Sequence, residues 1–139
     1  MLRRILLVFI MLITALSMSS CIVTSHDYNV EISCNEFSER NHRSGEFEVE
    51  VGDKIRVELC SNPTTGFQWD YEFTTANVVK EEDHDFEEPE EGIVGAAGTE
   101  LWTFEAVGTG TTEIQMEYSQ PWEGGLKAEW TYTMTVTVE

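Results

Sequence analysis

Basic side chains are scarce in this 139-residue chain: 8 Lys and Arg stand against 26 Asp and Glu, a formal net charge of −18. A balance that acidic argues against a nucleic acid partner and against adhesion to anionic lipid. Histidine is scarce too, and His26, His42 and His84 are scattered without metal-ligand spacing, so no metal site is expected. The three cysteines contain no Cys-x-x-Cys pair, which removes the usual zinc and dithiol chemistry. There is no Gly-x-Ser-x-Gly, no His-Glu-x-x-His and no phosphate-cradling glycine loop. The sequence therefore points to no enzyme class and to no cofactor. A helical period of 3.6 is nearly absent as well.

The apolar stretch from Ile5 to Leu16 falls short of the about 20 residues that a comfortable membrane span needs. Arg3 and Arg4 precede it, and Met18-Ser19-Ser20-Cys21 follows it. That order reads as an export signal over residues 1–20. The cysteine behind small residues resembles the lipobox of prokaryotic lipoproteins, so Cys21 is the expected lipidation site. The protein is then exported and lipid-anchored in the cell envelope, with ordinary secretion as the alternative. Beyond the signal, six basic and 26 acidic residues leave a charge of −20. Such a chain is expected to be a monomer that meets membrane only through its anchor. Cys34 and Cys60 remain as a candidate disulfide pair in an oxidising compartment, and spacing alone does not decide the bond.

From residue 28 onward the hydrophobic period is two. Tyr28, Val30 and Ile32 alternate with polar neighbours, as do Phe47, Val49 and Val51, then Ile55, Val57 and Leu59. Phe67, Trp69, Tyr71 and Phe73 form an aromatic face. Trp102 to Ala106, Thr112 to Tyr118 and Trp130 to Val138 continue the pattern. This predicts an all-β fold, an immunoglobulin-like antiparallel β-sandwich of about seven strands. Asn41 to Gly45 reads as a loop, and the acidic run Glu81 to Glu91 as exposed chain. Residues 21–45 hold the lipidated N-terminus, a first strand and that loop. Residues 46–139 complete a single domain.

Three turn-rich segments stand out. Asn62-Pro63-Thr64-Thr65-Gly66-Phe67 has Pro63 to fix one φ, Asn62 pushed toward extended backbone, and Gly66 to admit a backbone that Cβ forbids. Its two β-branched threonines are expected to hold stiff side chains with outward hydroxyls. Gly92 to Thr99 is small and flexible around Gly95-Ala96-Ala97-Gly98. Ser119 to Gly125 carries Gln120-Pro121-Trp122. Alternate connections of a sandwich gather at one end, so these three are expected to share an edge, as binding loops do.

Those segments, in that order, resemble the chagasin family of cysteine-protease inhibitors. The Asn-Pro-Thr-Thr-Gly-aromatic motif of that family is matched in full by Asn62 to Phe67, with Trp69 at the following aromatic position. Its glycine-rich middle loop is matched loosely by Gly95 to Gly98, and its Arg-Pro-Trp-type loop by Gln120-Pro121-Trp122. The likeness covers about residues 46 to 139. It implies a non-enzymatic wedge that occludes the catalytic cleft of a papain-like cysteine protease reversibly. Thr64 and Thr65 would sit over the catalytic cysteine and histidine, with the other two loops on either side. Gln120 stands where the family has arginine, which removes a charge and a guanidinium plane. The competing reading is an envelope-anchored immunoglobulin-like adhesion or carbohydrate-binding module using the same edge.

Overall fold

The computed structural model describes residues 24–89 and 95–139. The signal segment and Cys21 lie outside the described residues, as does the Gly92 to Val94 part of the middle loop. Eight strands form two four-stranded sheets. The strands are β1 (Asp27–Ile32), β2 (His42–Val49), β3 (Lys54–Ser61), β4 (Gln68–Phe73), β5 (Val79–Glu87), β6 (Gly98–Ala106), β7 (Gly110–Ser119) and β8 (Trp130–Val138). One sheet runs β1-β3-β6-β5 and the other β2-β8-β7-β4. The all-β sandwich expected from the period-two pattern is the fold observed.

Two details differ from that expectation. The pairs β1–β3 and β2–β8 are parallel, so each sheet is mixed rather than antiparallel throughout. The chain leaves β1, reverses into β2 of the opposite sheet and reverses again into β3. Two reversals restore the original direction. The turn-like residues His42 to Gly45 are also strand, because they pair with Thr131 to Met134 of β8. Gly45 makes room there, since a Cβ at that position would lie 2.6 Å from the Tyr132 hydroxyl. Burial pushes the Tyr132 hydroxyl up to about 12.

Between the sheets, Ile55, Val57 and Leu59 of β3 and Phe104 of β6 meet Ile114 and Met116 of β7 and Met134 and Val136 of β8, all buried. Each such side chain stabilises the fold by roughly 1.5–3 kcal/mol relative to exposure. A short helix, α1 (Cys34–Glu39), covers one end of this core. Ser33 caps it: its Oγ accepts from Glu36 N–H, and the Glu36 carboxylate accepts from Ser33 N–H at 2.9 Å. That reciprocal pair is a capping box. The Glu36 carboxyl is lowered, chiefly by the Ser33 backbone bond. Phe37 projects from α1 into a fully buried position, with ring centroids 5.0 Å from Trp130 and 5.4 Å from Trp69. Cys34 of α1 is disulfide-bonded to Cys60 of β3, with Cα atoms 5.1 Å apart.

Candidate functional site

The three segments join β3 to β4, β5 to β6 and β7 to β8. All three connections lie at one end of the sandwich, and side chains tie them together.

The first loop is built around Asn62. Its backbone is extended, with φ −128°, and Pro63 to Thr65 form a single 3-10 turn behind it. The Asn62 Oδ1 accepts from Thr64 N–H at 3.2 Å and from Thr64 Oγ1 at 2.6 Å. The Asn62 carbonyl accepts from Thr65 N–H at 3.1 Å and from Thr65 Oγ1 at 2.6 Å. Both threonine hydroxyls, expected to face outward, therefore turn back into the loop. They do so because the turn leaves two acceptors of Asn62 without strand partners. Gly66 closes the turn with φ +79°, and its N–H donates to the Pro63 carbonyl. Phe67 stacks on Tyr118 at 5.2 Å and belongs to the root of the loop rather than its tip.

Asn62 also reaches its neighbours. Its Nδ2 donates to the Gly95 carbonyl at 3.0 Å, which joins the first and middle loops. Its N–H donates to the Tyr118 hydroxyl at 2.7 Å. In the middle segment Gly95 is exposed and Ala96 half-buried. Ala97 packs against the core, and Gly98 is buried at the start of β6, where a Cβ would meet the Phe86 ring at 2.6 Å. Of the four small residues, only the first two stand toward the rim.

The third loop folds on itself. Gln120 N–H donates to the Leu126 carbonyl at 2.8 Å, and Leu126 N–H returns a bond to Gln120 Oε1 at 3.0 Å. The Lys127 ammonium donates to the carbonyls of Gln120 and Trp122. Gln120 Nε2 lies 3.5 Å from the Thr65 carbonyl. Trp122 is 50% exposed and lies against the first loop: a Cβ on Gly66 would be 2.5 Å from its Cη2. Gly66 thus serves twice, once for its left-handed backbone and once for the indole's approach. Leu126, 59% exposed, is a second apolar side chain on this loop. Sequence reasoning missed Leu126, Lys127 and Tyr118. Leu126 carried a usable signal as an apolar residue just past Gly124-Gly125.

The result is one rim of short, mutually bonded turns, with Pro63, Thr64, Thr65, Pro121 and Trp122 exposed on it. Its hydroxyls are bonded to amide groups, so no nucleophile stands beside a base. Among the described residues no group of three or more His, Cys, Asp or Glu is arranged to hold a metal ion. What the rim offers chemically is a shaped contact surface.

Comparison with known proteins agrees with the family resemblance. The model of the Chagasin family peptidase inhibitor I42 matches residues 48–136. Chagasin from Trypanosoma cruzi is 32% identical over 87 residues, 60% of this chain and 79% of that protein. Amoebiasin-2 from Entamoeba histolytica is 31% identical over 91 residues, 65% of this chain and 74% of that protein. Among solved structures, the cysteine protease inhibitor EhICP2 from Entamoeba histolytica has a TM-score of 0.65 at 24% identity, covering 83% of this chain and 97% of its own. PbICP-C, solved in complex with falcipain-2, has a TM-score of 0.56 at 14% identity, covering 83% and 100%. These two likenesses establish the shared fold. On the family match and the identity to its members, the chain belongs to the chagasin family of peptidase inhibitors, a family of inhibitors and not of enzymes.

Proposed function

We propose that this protein is a reversible, tight-binding inhibitor of papain-like cysteine proteases, and that its three-loop rim fills the enzyme's catalytic cleft. The observation that carries the reading is the bonding of the three loops to one another through Asn62, Gln120 and the Gly66–Trp122 contact. Loops already held in place lose little conformational entropy on docking, so more of the contact energy becomes affinity. A protease–inhibitor contact of about 1,600 Å² supports tight binding when its centre is well packed. In this arrangement Thr64 and Thr65 face the catalytic cysteine and histidine. Gly95 and Ala96 take one wall of the cleft, and Pro121 and Trp122 the other. Trp122 is the natural anchor, because tryptophan is enriched among the residues that dominate binding energy. No atom of the rim forms a covalent bond to the enzyme. EhICP2 is named as a cysteine protease inhibitor, and PbICP-C is solved in complex with falcipain-2, which fits the same reading.

The test is titration of the chain from Ser25 onward against papain. Stoichiometric, reversible inhibition is expected, and binding to papain should vanish when a bulky ligand already blocks the active-site thiol. No inhibition at micromolar concentration, or binding that survives the block, removes the cleft as the target. Export and lipid anchoring through Cys21 complete the proposal. Cells fed a labelled fatty acid should incorporate it into the wild-type protein and not into Cys21→Ala. Equal labelling, or none in either, refutes the anchor.

A further inference from the structure

β5 carries an irregularity with a chemical consequence. Its register against β6 slips between Glu81 and Asp83. One extra residue in a strand exchanges the side chains that face inward from that point on. Beyond the slip, His84 stands opposite Trp102, and Phe86 opposite Glu100. Regular pairing would instead have set Asp83 and Asp85 at those two positions, the second carboxylate directly opposite Glu100.

With His84 in place, a polar chain runs inward from this exposed imidazole to buried Glu100 and Ser61. The His84 ring stacks on Trp102, with centroids 3.5 Å apart and planes 10° apart. Its Nε2 lies 3.1 Å from Glu100 Oε2. The other carboxylate oxygen, Oε1, accepts from Ser61 Oγ at 2.7 Å. Glu100 is 8% exposed and Ser61 wholly buried. Both oxygens are thus partnered, as burial of a carboxylate requires.

Ser61 is the last residue of β3, and Asn62 follows it directly. The Asn62 N–H is held by the Tyr118 hydroxyl from the opposite sheet. The root of the first loop is therefore gripped from both sides. Glu100 of β6 holds one residue, and Tyr118 of β7 holds the next. We infer that Glu100, aimed by His84, is a positioning residue for the first loop. It fixes the point from which Asn62 to Gly66 project, and thereby how long a bound protease stays. The second half of that statement rests on the inhibitory reading above. The first half is a property of the free protein.

Backbone relaxation separates the two halves. Glu100→Gln keeps the side-chain shape and removes the carboxylate, while Ser61→Ala removes only the donor. In the free chain, order parameters of Thr64, Thr65 and Gly66 should fall from about 0.85 toward about 0.6 in both variants, while Met134 and Val136 keep theirs. His84→Phe retains a ring on Trp102 without the hydrogen bond and should give a smaller loss in the same residues. Against papain, dissociation should quicken about tenfold with association nearly constant. Unchanged order in the loop, or an equal fall in β8, overturns the assignment. If the wild type does not inhibit papain at all, the inhibitory reading fails, and the order parameters still decide the positioning role. Should Glu100→Gln not fold, Ser61→Ala decides alone.

Discussion

The first and third loops lie side by side in one rim, yet they are held in different ways. The first is rooted in the interior. Cys60, two residues before Asn62, is disulfide-bonded to α1, and its carbonyl accepts from the buried Trp69 Nε1 at 3.0 Å. The third loop has no such root. Most of its bonds run between its own residues near the surface, and it leans on the first loop through Gln120 at the Thr65 carbonyl and Trp122 at Gly66. Water competes for exposed bonds, so each contributes less than a buried one. The order of the third loop is therefore partly lent to it by the first. Damage should travel from the first loop to the third, and not the other way.

The largest effect is expected where the first loop is rooted. The bond from Cys34 to Cys60 closes a loop with a sequence separation of 26. In the chain-entropy account, opening a loop of that size costs about 3.5 kcal/mol of stability. Cys34→Ala with Cys60→Ala should therefore lower the urea midpoint substantially and steepen the slope, because the unfolded chain without the crosslink exposes more surface. An unchanged midpoint would mean that the interior holds the root without the crosslink.

Next in size is the contact between the loops. Trp122→Ala should weaken protease binding by about 2 kcal/mol and leave thermal stability almost untouched, because the indole is half exposed. Gly66→Ala should cost about 1–2 kcal/mol in backbone strain and also displace the indole. The asymmetry lies in the spectra. Gly66→Ala should shift the Trp122 indole resonance, whereas Trp122→Ala should leave the amides of Thr64 and Thr65 near their wild-type positions. If both variants disturb both loops equally, the first loop is not the support.

Much of the fold was legible because strands with one buried face write a period of two into the chain. The runs around Val57, Phe104, Met116 and Met134 are strands whose alternate residues are buried. What escaped depends on partners distant in sequence. His42 to Gly45 read as a turn by composition, and pairing with β8 overrode that preference. The parallel edge pairs leave no mark in local pattern. α1 did leave one: Ser33 with Glu36 three residues on spells a capping box, overlooked because so short a helix shows no periodicity. At the rim, the motifs gave the loops and their order, and the structure adds how they touch. That the two threonine hydroxyls point back to Asn62, and that Phe67, Ala97 and Gly98 sit at the roots, follows from packing that no spacing encodes.

The smallest expected effect lies at the opposite pole and tests whether the rim is independent of it. Asp53, 2% exposed, joins the β2–β3 turn to the chain ahead of β1. Its carboxylate accepts from His26 N–H at 2.7 Å and Glu50 N–H at 2.9 Å, and the His26 ring lies 3.6 Å away. Burial pushes this carboxyl up, but the backbone bonds from Glu50 and His26, with the His26 charge, outweigh it and hold it below 3.8. A carboxyl whose folded value is depressed binds fewer protons in the native state than in the unfolded one. Its contribution is therefore fully present above the unfolded value and drains away as pH falls through the folded one. Asp53→Asn should melt below the wild type near neutrality, and the gap should narrow on acidification below about pH 4. The affinity for papain measured at neutral pH should be the same in both proteins. A gap that stays constant with pH would show that Asp53 acts by shape and not by charge. A change in affinity would show that the two ends of the sandwich are coupled, and that the rim owes its order to more than its own roots.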